Sequence, residues 1–289
     1  MLHLIQGIIL HKKIALALAL ILLVGCSNQM AYNHLDWLVS WYVDDYVELN
    51  SQQEDKLQTG LNSLLVWHRQ DELPVYHEQL SALLADVNIG QMPTSLWMAH
   101  IVKVRGHLSR VRIKANRHLT GLASDLSTSQ VNELFENLQN ENKEAEEEFN
   151  DLSSDEVLEQ RIEKLNDSFE EYLGSLSPQQ DSIIHDYINK TSSNSLAYIH
   201  YNRRLQGLAQ DMFTQFSGQT LNDKLYALFI GSKQYKSAAL QQNSALKIEL
   251  GAQLLHDIYA SLSSKQLANF KDEIIDLQAT LSELMAEEV

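Results

Sequence analysis

The sequence predicts an all-α protein, a bundle-like array of amphipathic helices joined by short capped turns. Three observations carry this. Turn residues are scarce: eleven glycines and three prolines in 289 residues, about 5% where average proteins carry roughly 12%. Apolar residues recur at helical spacing, and helix-start signatures recur along the chain.

The first 25 residues stand apart. His11, Lys12 and Lys13 form a small positive region, Ile14 to Leu23 form an apolar run, and Leu23-Val24-Gly25-Cys26 follows. The run is shorter than the ~20 residues of a membrane span and has the order of a secretory signal. Residues 1–25 are therefore read as a signal peptide, 26–32 as a tether and 33–289 as the helical body. Cys26 is the single cysteine, which leaves no disulfide or cysteine-based metal site for the mature monomer.

From there the helices are expected at 34–48, 51–72, 74–87, 94–121, 128–149, 154–174, 178–190, 195–217, 221–259 and 264–286. Asn33-x-x-Asp36 places a cap before the first, with Tyr32 and Trp37 as its hydrophobic staple. Its aromatic face, Trp37, Trp41, Tyr42 and Tyr46, suits core packing or, close to a lipid anchor, the membrane interface. Four later starts share one phrase: Leu49 to Gln53, Leu126 to Gln130, Leu176 to Gln180 and Leu262 to Gln266. Each is leucine, a capping residue, two spacers and glutamine. The cap accepts from the N–H three residues on, and the glutamine reaches back to the cap's own N–H. Ser153-x-x-Glu156 is a fifth box of this kind. Within helices, Leu158, Ile162, Leu165, Phe169 and Tyr172, and later Leu267, Phe270, Ile274, Leu277, Leu281 and Leu284, step by threes and fours. Trp97, Ile101, Val104, Leu108, Val111 and Ala115 form a seam within about 40° of one line, narrow enough to pack a single partner helix.

Charge narrows the partners. The formal net charge of −16 becomes −18 once the two lysines of the signal are removed. Such a body suits neither nucleic acid nor an anionic lipid surface. Against this background residues 87–124 contain no acid. Lys103, Arg110, Lys114 and Arg117 group within about 60° opposite the Trp97 seam, and Arg105 and Arg112 flank it. The stripe suits an anionic partner such as a phosphate-bearing lipid or an acidic protein. The alternative is internal pairing with the glutamate row of the next helix, Glu133 to Glu148, as an antiparallel neighbour.

His68, Arg69 and Glu72 form a polar cluster before Leu73-Pro74. His68 and Glu72 share a helix face, the spacing of an acid–base pair or two metal ligands, but zinc needs a third ligand. A His–Glu hydrogen bond beside a proline-bent helix is the other account. No nucleophile elbow, phosphate loop or calcium loop is present. The expectation is a protein with no catalytic residues, metal or cofactor.

The tetrad ending in Cys26 resembles the lipobox of bacterial lipoproteins. The resemblance implies acylation of Cys26 and, with Ser27 following, anchorage in the outer membrane facing the periplasm. Tyr32-Asn33-His34-Leu35-Asp36-Trp37, Trp41, Asp45-Tyr46, Trp67-His68-Arg69 and Glu72-Leu73-Pro74 resemble an uncharacterised family of Gram-negative lipoproteins, filed under a domain of unknown function. That resemblance implies a mainly helical envelope protein and no activity. The Leu-Ser-x-x-Gln phrase is more distantly similar to the Leu-Thr-x-x-Gln motif of periplasmic stress chaperones. The functional expectation is a non-catalytic binding or assembly module with an envelope partner. An ATP-independent chaperone or stress-response module is the alternative.

Overall fold

The computed structural model describes Tyr32 and residues 34–287. The signal peptide, Cys26 and Asn33 lie outside the described residues. The described residues are overwhelmingly helical, and none lies in a strand. The helices are α1 (Leu35–Asp44), α2 (Ser51–Trp67), a π-turn (His68–Glu72), α3 (Leu73–Ile89), α4 (Thr94–Ala123) and α5 (Thr128–Asp151). They continue with α6 (Ser154–Leu173), α7 (Pro178–Lys190), α8 (Ser195–Gln215), α9 (Gly218–Ile230), a 3₁₀ turn (Ser232–Tyr235), α10 (Ala238–Ala260) and α11 (Ser264–Ala286).

All five sequence-read boxes form: Asn50–Gln53, Ser127–Gln130, Ser153–Glu156, Ser177–Gln180 and Ser263–Gln266. The four glutamine boxes also meet in pairs. Gln53 and Gln130 exchange amide hydrogen bonds of 3.1 and 2.7 Å, and Gln180 and Gln266 exchange bonds of 3.2 and 2.9 Å. The second amide hydrogen of Gln53 goes to the Asp125 carbonyl, and that of Gln130 to the Glu48 carbonyl. Gln266 likewise reaches the Ser175 carbonyl. The start of α2 is thereby tied to the start of α5, and the start of α7 to that of α11.

The first cap departs from the sequence reading. α1 starts at Leu35 with His34 before it and no side-chain cap. Tyr32 is fully buried while Trp37 is 63% exposed, so no staple closes. Trp41 is 60% exposed, and core packing does not account for either tryptophan. The expected helix 221–259 is also divided. Gly231 ends α9, and Ser237 caps α10 by accepting from Leu240 N–H.

α4 is the spine. Its 30 residues span about 45 Å and pack against α2, α9 and α10. Gly60 lets α2 approach closely, because a Cβ there would lie 3.1 Å from His118 Cβ. Apolar burial is divided among several small cores. Leu73, Tyr76, Leu281 and Leu284 join α3 to α11 around Tyr32. Leu173, Ile184, Ile188, Leu254 and Ile258 join α6, α7 and α10. Phe135, Leu138, Leu205, Ala209, Leu221 and Leu225 join α5, α8 and α9. Among the described residues no helix is long and apolar enough to cross a membrane.

Candidate functional site

The π-turn collects the polar cluster. Pro74 has no N–H to donate, and its ring crowds the carbonyl four residues back. Here Leu73 N–H reaches the His68 carbonyl, five residues away. This widened turn carries His68, Arg69 and Glu72 into the interior, at 1%, 8% and 2% exposure.

The expected His68–Glu72 partnership gives way to two separate ones. Tyr32 Oη lies 3.1 Å from His68 Nδ1, and the Arg69 guanidinium stacks 5.3 Å from the Tyr32 ring. Arg69 also lies 3.7 Å from the Glu287 carboxylate. Glu72 instead receives both Nε and Nη2 of Arg110, at 2.5 and 2.9 Å. Arg110 donates a further bond to His107 Nδ1 at 2.6 Å, and the Tyr76 ring sits edge-on to both His68 and His107. Burial pushes His68 down to about 4, with the Arg69 charge acting in the same direction. Burial and then Arg110 push His107 down as well. Burial raises Tyr32 to about 12, so its phenol keeps its proton. Apart from the Glu72–Arg110 and Arg69–Glu287 pairs the cluster is neutral; His68, Arg69, Glu72 and His107 are buried, while Arg110 and Glu287 reach solvent.

In the basic stripe Lys103, Arg110 and Arg117 are exposed and Lys114 is partly buried, and three of the four have partners within the fold. Arg110 turns inward to Glu72, Lys114 stacks on Trp67 at 5.3 Å, and Arg117 stacks on Tyr226 at 5.4 Å. Lys103 remains exposed. The glutamate row is not its complement either, because α5 packs along α8. Glu146 pairs there with Arg203 and His200, and Glu141 accepts from Tyr46.

What the α4 seam faces is a cavity. Trp97, Val111, Ala115 and Leu122 are buried, but Val104 is 44% exposed, so no single helix covers the whole line. Leu108, Val111, Ala115 and Leu119 instead form one wall of a cavity of about 570 Å³. Leu134, Phe135 and Leu138 of α5 and Leu205, Ala209 and Phe213 of α8 form two more, closed by Leu225 and Phe229 of α9. Tyr42, Val43, Tyr46 and Val47 border it from the N-terminal segment, and Tyr76 connects it to the π-turn cluster. The volume falls within the ~300–1,000 Å³ of small-molecule sites, and an apolar lining with a few polar groups is their usual character.

The charged residues of the lining are all cations: Arg105, Arg112, Lys233 and Lys236. Arg105 and Arg112 project from α4, the very residues that flank the seam. Lys233 and Lys236 come from the 3₁₀ turn and its end, next to Gly231, a soft boundary of the expected helix 221–259. Lys236 Nζ stands 4.8 Å from the Tyr198 ring and 5.6 Å from the Tyr201 ring, and donates to Tyr198 Oη at 3.1 Å. Arg112 Nε is buried with no hydrogen-bond partner among the described residues. The sequence picks out the apolar line of α4, as a seam for a partner helix and not as a cavity wall, and does not pick out Lys233, Lys236, Tyr198 or Tyr201. The available signals were Gly231 and a serine cap at Ser237. Among the described residues no three His, Cys, Asp or Glu side chains gather to hold a metal.

No curated protein and no solved structure matches the chain. A family model, described as a family of unknown function (DUF6279), matches residues 45–238. The matched stretch contains the π-turn and every lining residue of the cavity except Tyr42 and Val43. With more than half of its length matched, the chain belongs to this family.

Proposed function

We propose that this protein is a lipid-anchored envelope protein that binds an apolar molecule without transforming it. The single observation that carries the binding role is the cavity of about 570 Å³, walled by four helices and lined mainly by apolar side chains. Voids of this size cost stability when left unfilled, and interiors are otherwise close-packed. A ligand recovers the lost contacts. Anchorage at the outer membrane rests on the sequence leading to Cys26 and on the resemblance of the mature N-terminus to envelope lipoproteins.

Two measurements test the reading. Organic extracts of the mature protein purified from cells should contain one apolar species at about one per chain by mass spectrometry. Ala115→Phe, which fills the α4 wall, should lose it. Extracts that match bulk membrane lipid in both proteins would remove the binding role. For the anchor, Cys26→Ala should leave an unprocessed precursor at the inner membrane, and normal maturation of that variant would overturn the lipoprotein assignment.

A further inference from the structure

The cavity's charges specify its ligand more closely, on the reading that it binds an apolar molecule. We infer that the occupant is a single-chain amphiphile whose anionic head group is held by Arg112 and Lys236 beside Tyr201, its aliphatic chain lying against Phe135, Leu138 and Leu205.

The protein carries 38 acids against 22 Lys and Arg, yet this apolar cavity is bordered by four cations and no carboxylate. Glu141, outside the lining, accepts from the lining residue Tyr46. Burying a guanidinium nitrogen without an acceptor is costly. Arg112 nonetheless presents a buried Nε that no described group satisfies. A carboxylate or phosphate oxygen supplies that acceptor, and arginine's planar fork suits such groups. Two cations converge on Tyr201: Lys236 stands over its ring, and the Arg112 charge acts on its phenol. The remaining lining is mainly aliphatic and aromatic, with Ser109, Asn116, Asn202 and Gln206 as neutral polar groups and Arg105 and Lys233 as further cations, so an aliphatic chain finds apolar contact and an anionic end finds only positive charge.

Photolabelling of the full-length acylated protein in phosphatidylcholine vesicles tests this. Diazirine-bearing hexadecanoate and the matching hexadecan-1-ol are the two probes, with labelled peptides mapped by mass spectrometry. Hexadecanoate should label peptides spanning 105–119 and 198–213, and the alcohol should label them weakly. Arg112→Gln should lower hexadecanoate labelling about tenfold, and Arg112→Lys should restore most of it. Ala115→Phe should abolish labelling by both probes, which distinguishes the cavity from the bilayer surface. Equal labelling by acid and alcohol, unchanged in Arg112→Gln, would overturn the head-group assignment and leave the apolar-ligand reading standing. Displacement of hexadecanoate by millimolar inorganic phosphate would overturn the chain and leave an anion site. Absence of cavity labelling by either probe would overturn both readings. Superimposable circular dichroism and melting curves for Arg112→Gln and the parent ensure that a loss reports binding.

Discussion

Glu72 and His68 show what burial does to an ionisable group with and without a partner of opposite charge. Glu72 is 2% exposed and takes both available donors of Arg110, whose own side chain is 44% exposed. Removing the arginine strands a buried carboxylate, whereas removing the carboxylate frees an arginine already half in water. Arg110→Ala should therefore cost about 3 kcal/mol, and Glu72→Gln about 1 kcal/mol, by urea unfolding. Equal costs would show that the pair is solvated rather than buried. His68 gives a pH signature. Its folded value of about 4 lies below the ordinary 6.5, so the unfolded chain binds its proton first. Its contribution is full above about pH 6.5 and is lost as pH falls toward 4, with His107 acting in the same direction. The free energy of unfolding should fall through that window by on the order of 3 kcal/mol for His68, read as a falling melting temperature, and His68→Gln should flatten the slope. An unchanged slope would place the titration elsewhere.

At the scale of elements, glutamine pairing is the feature with the largest consequence. Gln180 is fully buried and Gln266 nearly so. Each fastens its own helix start and the other's amide. Gln180→Ala should cost about 2 kcal/mol through the lost cap bond and the stranded Gln266 amide. The double variant Gln180→Ala/Gln266→Ala should cost less than the two singles summed, since the second loses what the first already broke. Strict additivity would refute the coupling. The helix starts were legible because a capping box is complete within four residues. The pairing of boxes 77 and 86 residues apart was not, because periodicity names a helix's apolar face but not what covers it. The same limit applies to α4: Leu108, Val111, Ala115, Arg105 and Arg112 were singled out along one helix, while their complement on α5, α8 and α9 is a product of tertiary assembly. Within the run 221–259, Leu221, Leu225 and Leu228 serve one core and Leu254 and Ile258 another. A lone Gly231 marks the break in the sequence, but glycine is also tolerated inside helices.

At the scale of the whole molecule, the proposed acylation of Cys26 would set where the body sits. Tyr32 is fully buried between α3 and α11, so with Cys26 acylated only residues 27–31 separate the anchor from the fold, a reach below about 20 Å. Next to it α1 presents Trp37 and Trp41, four residues apart on one face and both about 60% exposed. An indole pair held this close to a bilayer gains by settling among the head groups, where its apolar body and polar N–H are both accommodated. The charge of −18 expected for the mature chain opposes an anionic surface, so the contact should favour zwitterionic lipid. For the acylated protein in phosphatidylcholine vesicles, brominated lipid should quench a fraction of the tryptophan fluorescence that Trp37→Phe/Trp41→Phe removes. Trp97, 5% exposed in the core, should stay unquenched throughout. Quenching should diminish when phosphatidylglycerol replaces phosphatidylcholine at low salt and recover as salt screens the repulsion. Fluorescence indifferent to brominated lipid would turn α1 away from the membrane and make its tryptophans a surface for a protein partner.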